Sequence, residues 1–498
     1  MSMLSPEELE QLSPAETSLF PAPIPVQSVS SDEFMPIPQT AKQREFEARV
    51  KEMGAAMAKR LGMSRRRFFQ TAAGMATAFL AMNDTYGPIF GVSRAEAATP
   101  EQADERAKKL SKQFIMDMHT HFLRTGTSIK TFVNQRNAVG KAGWNKALAE
   151  KEQTIEDLMF QNYLKEIYYD SDTKVACISG APSEVPADWF LTNEMKAQAR
   201  ASVNAIAGSR RMFAHAIFTP GYDGWMEQID HAIADLKPDS MKGYTIGDNT
   251  HKDLSKHAWN LDDEKLVYPA YEKFLKAGLK NVCIHKGLFS PALEKEFPHL
   301  RKHADVRDVG KAAKDWPQLE FIIYHGAYRL GPPKEAWAQF EQTGRVDWVS
   351  DLAEIPAKFG VKNVYADVGQ LFAQTTIAEP RLSAAMMGIL IKGLGADHVN
   401  WGTDAIWTGA PQWQIEALRR LEIPEEMQKQ HGFKPLGPAD GPVKNAVFGG
   451  NSARLYNLKP QQQAELENDQ IASWKELYEK HGARRSNLAY GYVLKKQA

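Results

Sequence analysis

Phe114-Ile115-Met116-Asp117-Met118-His119-Thr120-His121 is the stretch from which the rest of the chain is read: a strand-like apolar run that stops on two histidines. Runs of the same kind recur at Lys174–Ser179, Met212–Phe218, Met241–Ile246, Asn281–His285, Glu320–His325, Asn363–Val368 and Val399–Gly402, which with Phe114–His119 make eight. Each is followed by a segment of helical periodicity, the pattern of repeated βα units and a parallel sheet. Eight such strands predict an α/β fold, a (β/α)8 barrel of the TIM type, and such barrels run as one domain well past average domain length. Residues 224–238 are amphipathic, with Ile229, Ile233 and Leu236 on one face, and 267–279 carry Gly278 where a helix would end. An extra polar loop, Asp248–Asp263, separates the fourth and fifth runs. No repeat of roughly 20–50 residues points to a solenoid.

The barrel occupies 113–458, and the flanks read differently. Residues 1–62 are an extension, proline-punctuated and disordered or loosely packed to residue 40, then helical and charged. Residues 63–97 hold Ser64-Arg65-Arg66-Arg67-Phe68-Phe69-Gln70, an apolar run from Thr71 to Ala81, and Ala95-Glu96-Ala97. This stretch resembles a twin-arginine export signal with cleavage before Ala98. That reading implies the twin-arginine machinery as a partner and a periplasmic or secreted location. The alternative is an Ala-rich buried helix in a cytoplasmic protein. The apolar run is shorter than the ~20 residues that cross a bilayer, so no stable membrane anchor is expected. Residues 459–498 form a tail with one amphipathic helix, 461–481, set under the barrel or against a second subunit of a homodimer.

Composition narrows the partners. Lys+Arg and Asp+Glu both number 61, so no basic field draws in nucleic acid, and a small-molecule substrate is expected. Two cysteines, Cys177 and Cys283, are too few for a disulfide framework.

Chemistry gathers at the strand ends. Alternation puts His119 and His121 on one face, where two imidazoles can bind one metal ion; exposed or backbone-satisfied histidines are the other reading. His285 ends the fifth run, His325 the sixth, and Asp404 follows the eighth in Trp401-Gly402-Thr403-Asp404. Barrel enzymes take their catalytic residues from these C-terminal ends.

This pattern resembles the amidohydrolase superfamily, in the branch of aminocarboxymuconate-semialdehyde decarboxylase and related decarboxylases and hydrolases, from about Phe114 to Leu458. The likeness includes Leu261-Asp262-Asp263, Trp316-Pro317-Gln318-Leu319, Asn363-Val364-Tyr365-Ala366-Asp367 and Phe448-Gly449-Gly450-Asn451-Ser452-Ala453-Arg454-Leu455-Tyr456. It implies His119, His121, His285 and Asp404 as metal ligands and His325 beside them as proton donor or acceptor. Three imidazoles and a carboxylate suit one divalent ion, zinc first, with manganese, iron or cobalt as alternatives. Such an ion lowers the pKa of a bound water toward ~7, where His325 and Asp404 can move protons.

Other residues carry lesser expectations. Lys242 bridges two metals in binuclear relatives, but here it is expected at the barrel mouth or in an ion pair. Asp117 is expected to support a ligand. Arg124, Tyr328, Arg329 and Trp407 follow strand ends and are candidates to line the substrate pocket, Arg suiting a carboxylate. His215 and His231 are read as structural, and Cys283 as core. The first functional expectation is hydrolysis of an amide, ester or lactone. The second is non-oxidative decarboxylation of an aromatic or unsaturated acid. A non-catalytic metal-binding barrel is the reading from another class.

Overall fold

The computed structural model describes residues 22–26, 39–127, 133–134, 137–138, 141 and 154–483. Each expected run holds one strand: β1 (Met116–Thr120), β2 (Val175–Ile178), β3 (Met212–Ile217), β4 (Ser240–Tyr244), β5 (Asn281–His285), β6 (Glu320–Tyr324), β7 (Val364–Asp367) and β8 (Val399–Asn400). They pair in parallel and in sequence order as one eight-stranded sheet. The edges meet through Met118 N to Trp401 O at 3.0 Å, Asp404 N to His119 O at 2.9 Å and His121 N to Ala405 O at 2.6 Å. This is the (β/α)8 barrel that the eight runs predict. The strands are short and buried on both faces, which is why they read as nearly continuous apolar runs.

β1 carries an irregularity at the decisive place. Asp117 lies opposite Ala176 but Thr120 lies opposite Ile178, so three residues of β1 span two of β2. Inside the barrel, Met118, Cys177, Phe213, Cys283, Ile322 and Tyr324 pack into one cluster, which places Cys283 in the core as expected. A polar chain threads that cluster. Tyr324 OH donates to Met118 O at 2.7 Å, and His215 meets Tyr324 OH at 2.7 Å and Ser240 Oγ at 2.5 Å. His215 is therefore structural in its contacts. His231 is half exposed and pairs with Asp235.

The helices that matter below are α1 (Ala41–Arg60), α2 (Arg65–Phe68), α3 (Ala72–Tyr86), α4 (Pro100–Leu110), α5 (Asn193–Ala207), α6 (Leu371–Ala378), α7 (Pro380–Leu394), α8 (Gln412–Arg420) and α9 (Gln470–Lys480). Thr40, Ser64 and Thr71 each cap a following helix by accepting from the backbone N–H of Gln43, Arg67 and Gly74. Phe46, Val50, Phe68, Phe69 and Phe79 join the main hydrophobic core. Phe90 bridges to Leu421, with Gly91 N on Arg420 O at 2.7 Å and Glu422 N on Ile89 O at 2.8 Å. The stretch that resembles an export signal is thus docked on the end of α8. Among the described residues, no helix is long and apolar enough to cross a membrane.

Two expectations for the flanks are corrected. Ala22–Pro25 are buried rather than loosely packed, and Ile24 belongs to the core, because an isolated apolar side chain between prolines is easily held extended against a neighbour. Residues 1–21 and 27–38 lie outside the described residues. The single helix expected over 461–481 is two, Pro460–Glu465 and α9. The break sits at Asp469, whose carboxylate accepts from Ala472 N at 2.8 Å and pairs with Arg211 at 2.6 Å. α9 packs on the chain's own barrel, with Tyr478 OH donating to Asp170 at 2.6 Å.

Candidate metal centre

β1 delivers His119 and His121 to one point at the C-terminal mouth of the barrel. His119 Nε2 and His121 Nε2 each lie 3.3 Å from the same oxygen, Asp404 Oδ1. Asp117 makes this meeting possible through the backbone rather than through a ring. Its carboxylate accepts from His119 N at 3.0 Å and from Thr403 N at 3.1 Å, so the end of β1 and the turn after β8 are tied together. Asp404 itself sits at φ 60°, as does His325. A left-handed backbone costs a non-glycine residue about 1–3 kcal/mol, a strain that concentrates at functional sites.

The His119 ring is oriented from behind by Asp367, at the end of β7: Nδ1 lies 3.1 Å from Asp367 Oδ1. With Nδ1–H donating there, the Nε2 lone pair faces Asp404. Gly369 and Gly402 permit this crowding, since a Cβ on them would lie 2.6 Å from His119 Nδ1 and 1.8 Å from Asp367 Oδ2. In the sequence Asp367 stands out only as the last residue of Asn363-Val364-Tyr365-Ala366-Asp367. Its signal was an acid closing an apolar strand, the same signal that picked out the histidines.

His285 and His325 stand beside this group. His325 Nδ1 lies 3.0 Å from Gly369 O and its Nε2 lies 3.1 Å from His285 Nδ1. Donation from His325 to the carbonyl makes its Nε2 the acceptor from His285 Nδ1–H, so His285 presents its lone pair at Nε2. The tight clusters are His119, His121 and Asp404, and His119, His325 and Asp367. His285, expected as a fourth ligand, meets the set through His325 rather than lying within it.

The electrostatics are those of a site short of positive charge. Burial pushes all four histidines well below their ordinary pKa, with nearby Lys242 adding to the effect, so they are neutral. Burial pushes the Asp404 and Asp367 carboxyls up to about 7, against the pull of Lys242, and Asp117 up to about 8. Lys242 is buried as well, its ammonium 3.1 Å from the Tyr324 ring centre. Two imidazole lone pairs aimed at one carboxylate oxygen in a dry pocket repel one another unless a cation lies between them. The donor set therefore fits a divalent metal ion.

Aromatic faces frame the cluster. Trp407 stacks on His121 at 5.4 Å and 20°, Phe190 stands edge-on to Trp407 at 5.6 Å, and Tyr244 stacks on His285 at 4.9 Å. Trp407 is the one expected pocket residue that the structure brings to the cluster. Arg124 donates to the carbonyls of Trp189, Pro186 and Ala187, since the loop after β2 passes within its reach. Arg329 is spent on Glu294 and Asp347, and Tyr328 is packed in the core.

A family model described as Amidohydrolase matches residues 116–458. No curated protein matches the chain in sequence. Among solved structures, a TIM-barrel protein of Bordetella bronchiseptica is similar at 14% identity and a TM-score of 0.43, covering 70% of this chain and 99% of that one. A 2,6-dihydroxybenzoate decarboxylase from Rhizobium gives 14% identity and 0.41, over 70% and 99%. A dihydroxybenzoic acid decarboxylase from Polaromonas, solved with manganese and an inhibitor, gives 13% and 0.42, over 70% and 99%.

Proposed function

The chain belongs to the amidohydrolase family, and from that premise we propose that it is a metal-dependent, non-oxidative decarboxylase of an aromatic or unsaturated carboxylic acid. The observation that carries this is the dry aromatic frame. His119, His121, His285, His325 and Asp404 are none more than 4% exposed, and Trp407, Phe190 and Tyr244 wall them in. Aromatic side chains are the surfaces against which a flat, unsaturated acid gains most. Water around a carboxylate stabilises its concentrated charge more than the spread charge of the transition state, so a site that excludes water favours loss of CO₂.

His119, His121 and Asp404 would hold the metal, with His285 closing the set and zinc as the first identity to test. The ion supplies Lewis-acid polarisation of the substrate's oxygens. The chain's own residues do the rest. Asp367 and Asp117 fix His119 in tautomer and position. Trp407 and Phe190 orient the ring. The bond from ring carbon to carboxylate breaks, CO₂ leaves, and the electron pair stays on that carbon, which takes a proton from Asp404, the acid that burial raises to about 7, while neutral His325 accepts from His285. Hydrolysis of an amide, ester or lactone is the second reading. It is favoured by the place of Asp404 Oδ1, at 3.3 Å from both imidazoles, where a carboxylate can also orient a water.

For location, we propose twin-arginine export, supported by the Arg65-Arg66-Arg67-Phe68-Phe69 motif, with residues up to 97 kept on the folded chain, since Phe68, Phe79 and Phe90 belong to its core. The function is tested by incubating the metal-loaded protein in D₂O with hydroxybenzoates and unsaturated acids, and separately with esters, lactones and amides. Release of CO₂ with one solvent deuterium at the vacated carbon, lost in Asp404→Ala, is the expected result. Turnover of an ester, lactone or amide without CO₂ from any acid would overturn it in favour of hydrolysis.

A further inference from the structure

Gln370 follows the turn at Gly369 that serves both catalytic histidines, since the Gly369 carbonyl holds His325 and its Cα lies against His119. Its side chain is 0% exposed, and among the described residues neither Oε1 nor Nε2 has a hydrogen-bond partner. Gln374, one turn into α6, is also buried with its Oε1 unpartnered among the described residues. The neighbouring hydroxyls of α6 are satisfied within the protein. Thr375 Oγ1 donates to Leu371 O at 2.7 Å, and the hydroxyls of Thr376 and Ser383 meet at 3.0 Å.

A buried amide with both ends unpaired is rare in a folded protein, because nothing replaces the water it has lost. Gln370 is also held at φ 58°, pinned by Leu371 N on Gly369 O at 2.6 Å and Gln374 N on Gln370 O at 2.9 Å. The strain and the unmet amide fall on one residue at the C-terminal end of β7, the face where barrels of this type hold their ligands.

We propose that the Gln370 amide reads a neutral hydroxyl or carboxamide substituent on the bound acid. This rests on the carboxylic-acid reading above. An amide offers a donor and an acceptor side by side and no charge, so it matches a group that can accept and donate. A second carboxylate would call for a guanidinium or ammonium instead. Gln370 is then a specificity residue, which selects among acids that the metal cluster alone would treat alike.

The test is calorimetric titration of the metal-loaded full chain with benzoate, 3-hydroxybenzoate, 4-hydroxybenzoate and 4-carbamoylbenzoate, wild type beside Gln370→Leu. At least one substituted acid should bind wild type about tenfold tighter than benzoate, and Gln370→Leu should erase that preference while leaving benzoate within about twofold. Without ligand, Gln370→Leu should melt no lower than wild type, since an apolar side chain of similar size replaces an unsatisfied amide. A preference that survives the substitution overturns the proposal. So does a lower melting temperature in the ligand-free variant, which would show the amide bonded within the protein. If none of the four acids binds wild type, the carboxylic-acid reading falls, and the melting comparison still decides the standing of Gln370.

Discussion

Where α8 meets the N-terminal segment, buried charges face opposite charges, whereas at the barrel mouth two buried carboxylates, Asp367 and Asp404, face neutral imidazoles and a third, Asp117, faces backbone N–H groups. In the first region Glu416 pairs with Arg106 at 2.7 Å and Arg419 at 2.8 Å. Arg419 also reaches Asp172 at 2.7 Å, and Arg420 reaches Glu96 at 2.5 Å. Burial alone would raise the Glu416 carboxyl, but Arg419, Arg420 and Arg106 outweigh it and hold it far below the usual range. In the second region no arginine among the described residues figures in the balance, and burial wins at Asp117, Asp367 and Asp404, at the last two over the pull of Lys242. A cluster whose charges already balance is a fastening. One that balances only with an added cation is a binding site.

Deleting residues 1–97 is the harshest test of the fastening. It strips Glu96 from the buried Arg420 and uncovers the core faces met by Phe79 and Phe90. The expected outcome is loss of cooperative unfolding by circular dichroism. A soluble truncated chain with the wild-type midpoint would make the segment an appendage. A narrower cut is Glu416→Gln, which leaves Arg106, Arg419 and Arg420 under-compensated. It should cost about 3–5 kcal/mol in denaturant unfolding, with metal affinity unchanged. An unaltered midpoint would reduce the cluster to an ordinary surface network.

At the mouth the sign reverses. Asp367→Asn removes the carboxylate behind His119 and should weaken metal binding about 10–100-fold by competition with a chelating dye. The metal-free variant should be no less stable than wild type. A large loss of metal-free stability would place Asp367 among the fastenings.

The smallest effect is in pH. An Asp whose folded pKa is raised to about 7, against ~3.9 unfolded, destabilises the fold above both values, and the penalty fades as pH falls through that window. The metal-free melting temperature should therefore rise as pH falls from about 8 to about 7, below which the buried histidines, held well under their unfolded ~6.5, cost stability in the opposite sense, and the rise should vanish once metal is bound. Glu416, depressed, contributes stability above its unfolded value of ~4.3, and this is lost as pH falls through its folded value. Acid unfolding should thus begin at α8. A metal-free midpoint that is flat across the upper window would mean the mouth is already balanced.

The sequence alone determined the barrel and the histidines. Eight apolar runs with intervening helical periodicity leave little choice of topology, because local side-chain patterning sets strand and helix and chain order sets a parallel sheet. His119, His121, His285, His325 and Asp404 were legible because a polar residue ending a buried strand is conspicuous in one dimension. Only the tertiary structure could decide the rest. Asp367 turns toward His119 past the single intervening strand β8, although 248 residues separate the two in sequence, Arg124 and Arg329 find partners nearer than any substrate, and Gln370 is left with none among the described residues. The Ala-rich helix after Arg67 reads as a leader because its apolar face looks unpartnered in sequence, and it lies against the core because α1 and α4 supply the missing face. Whether a side chain is paired depends on neighbours distant in the chain, and burial, which sets the cost of leaving it unpaired, is likewise a property of the packed whole.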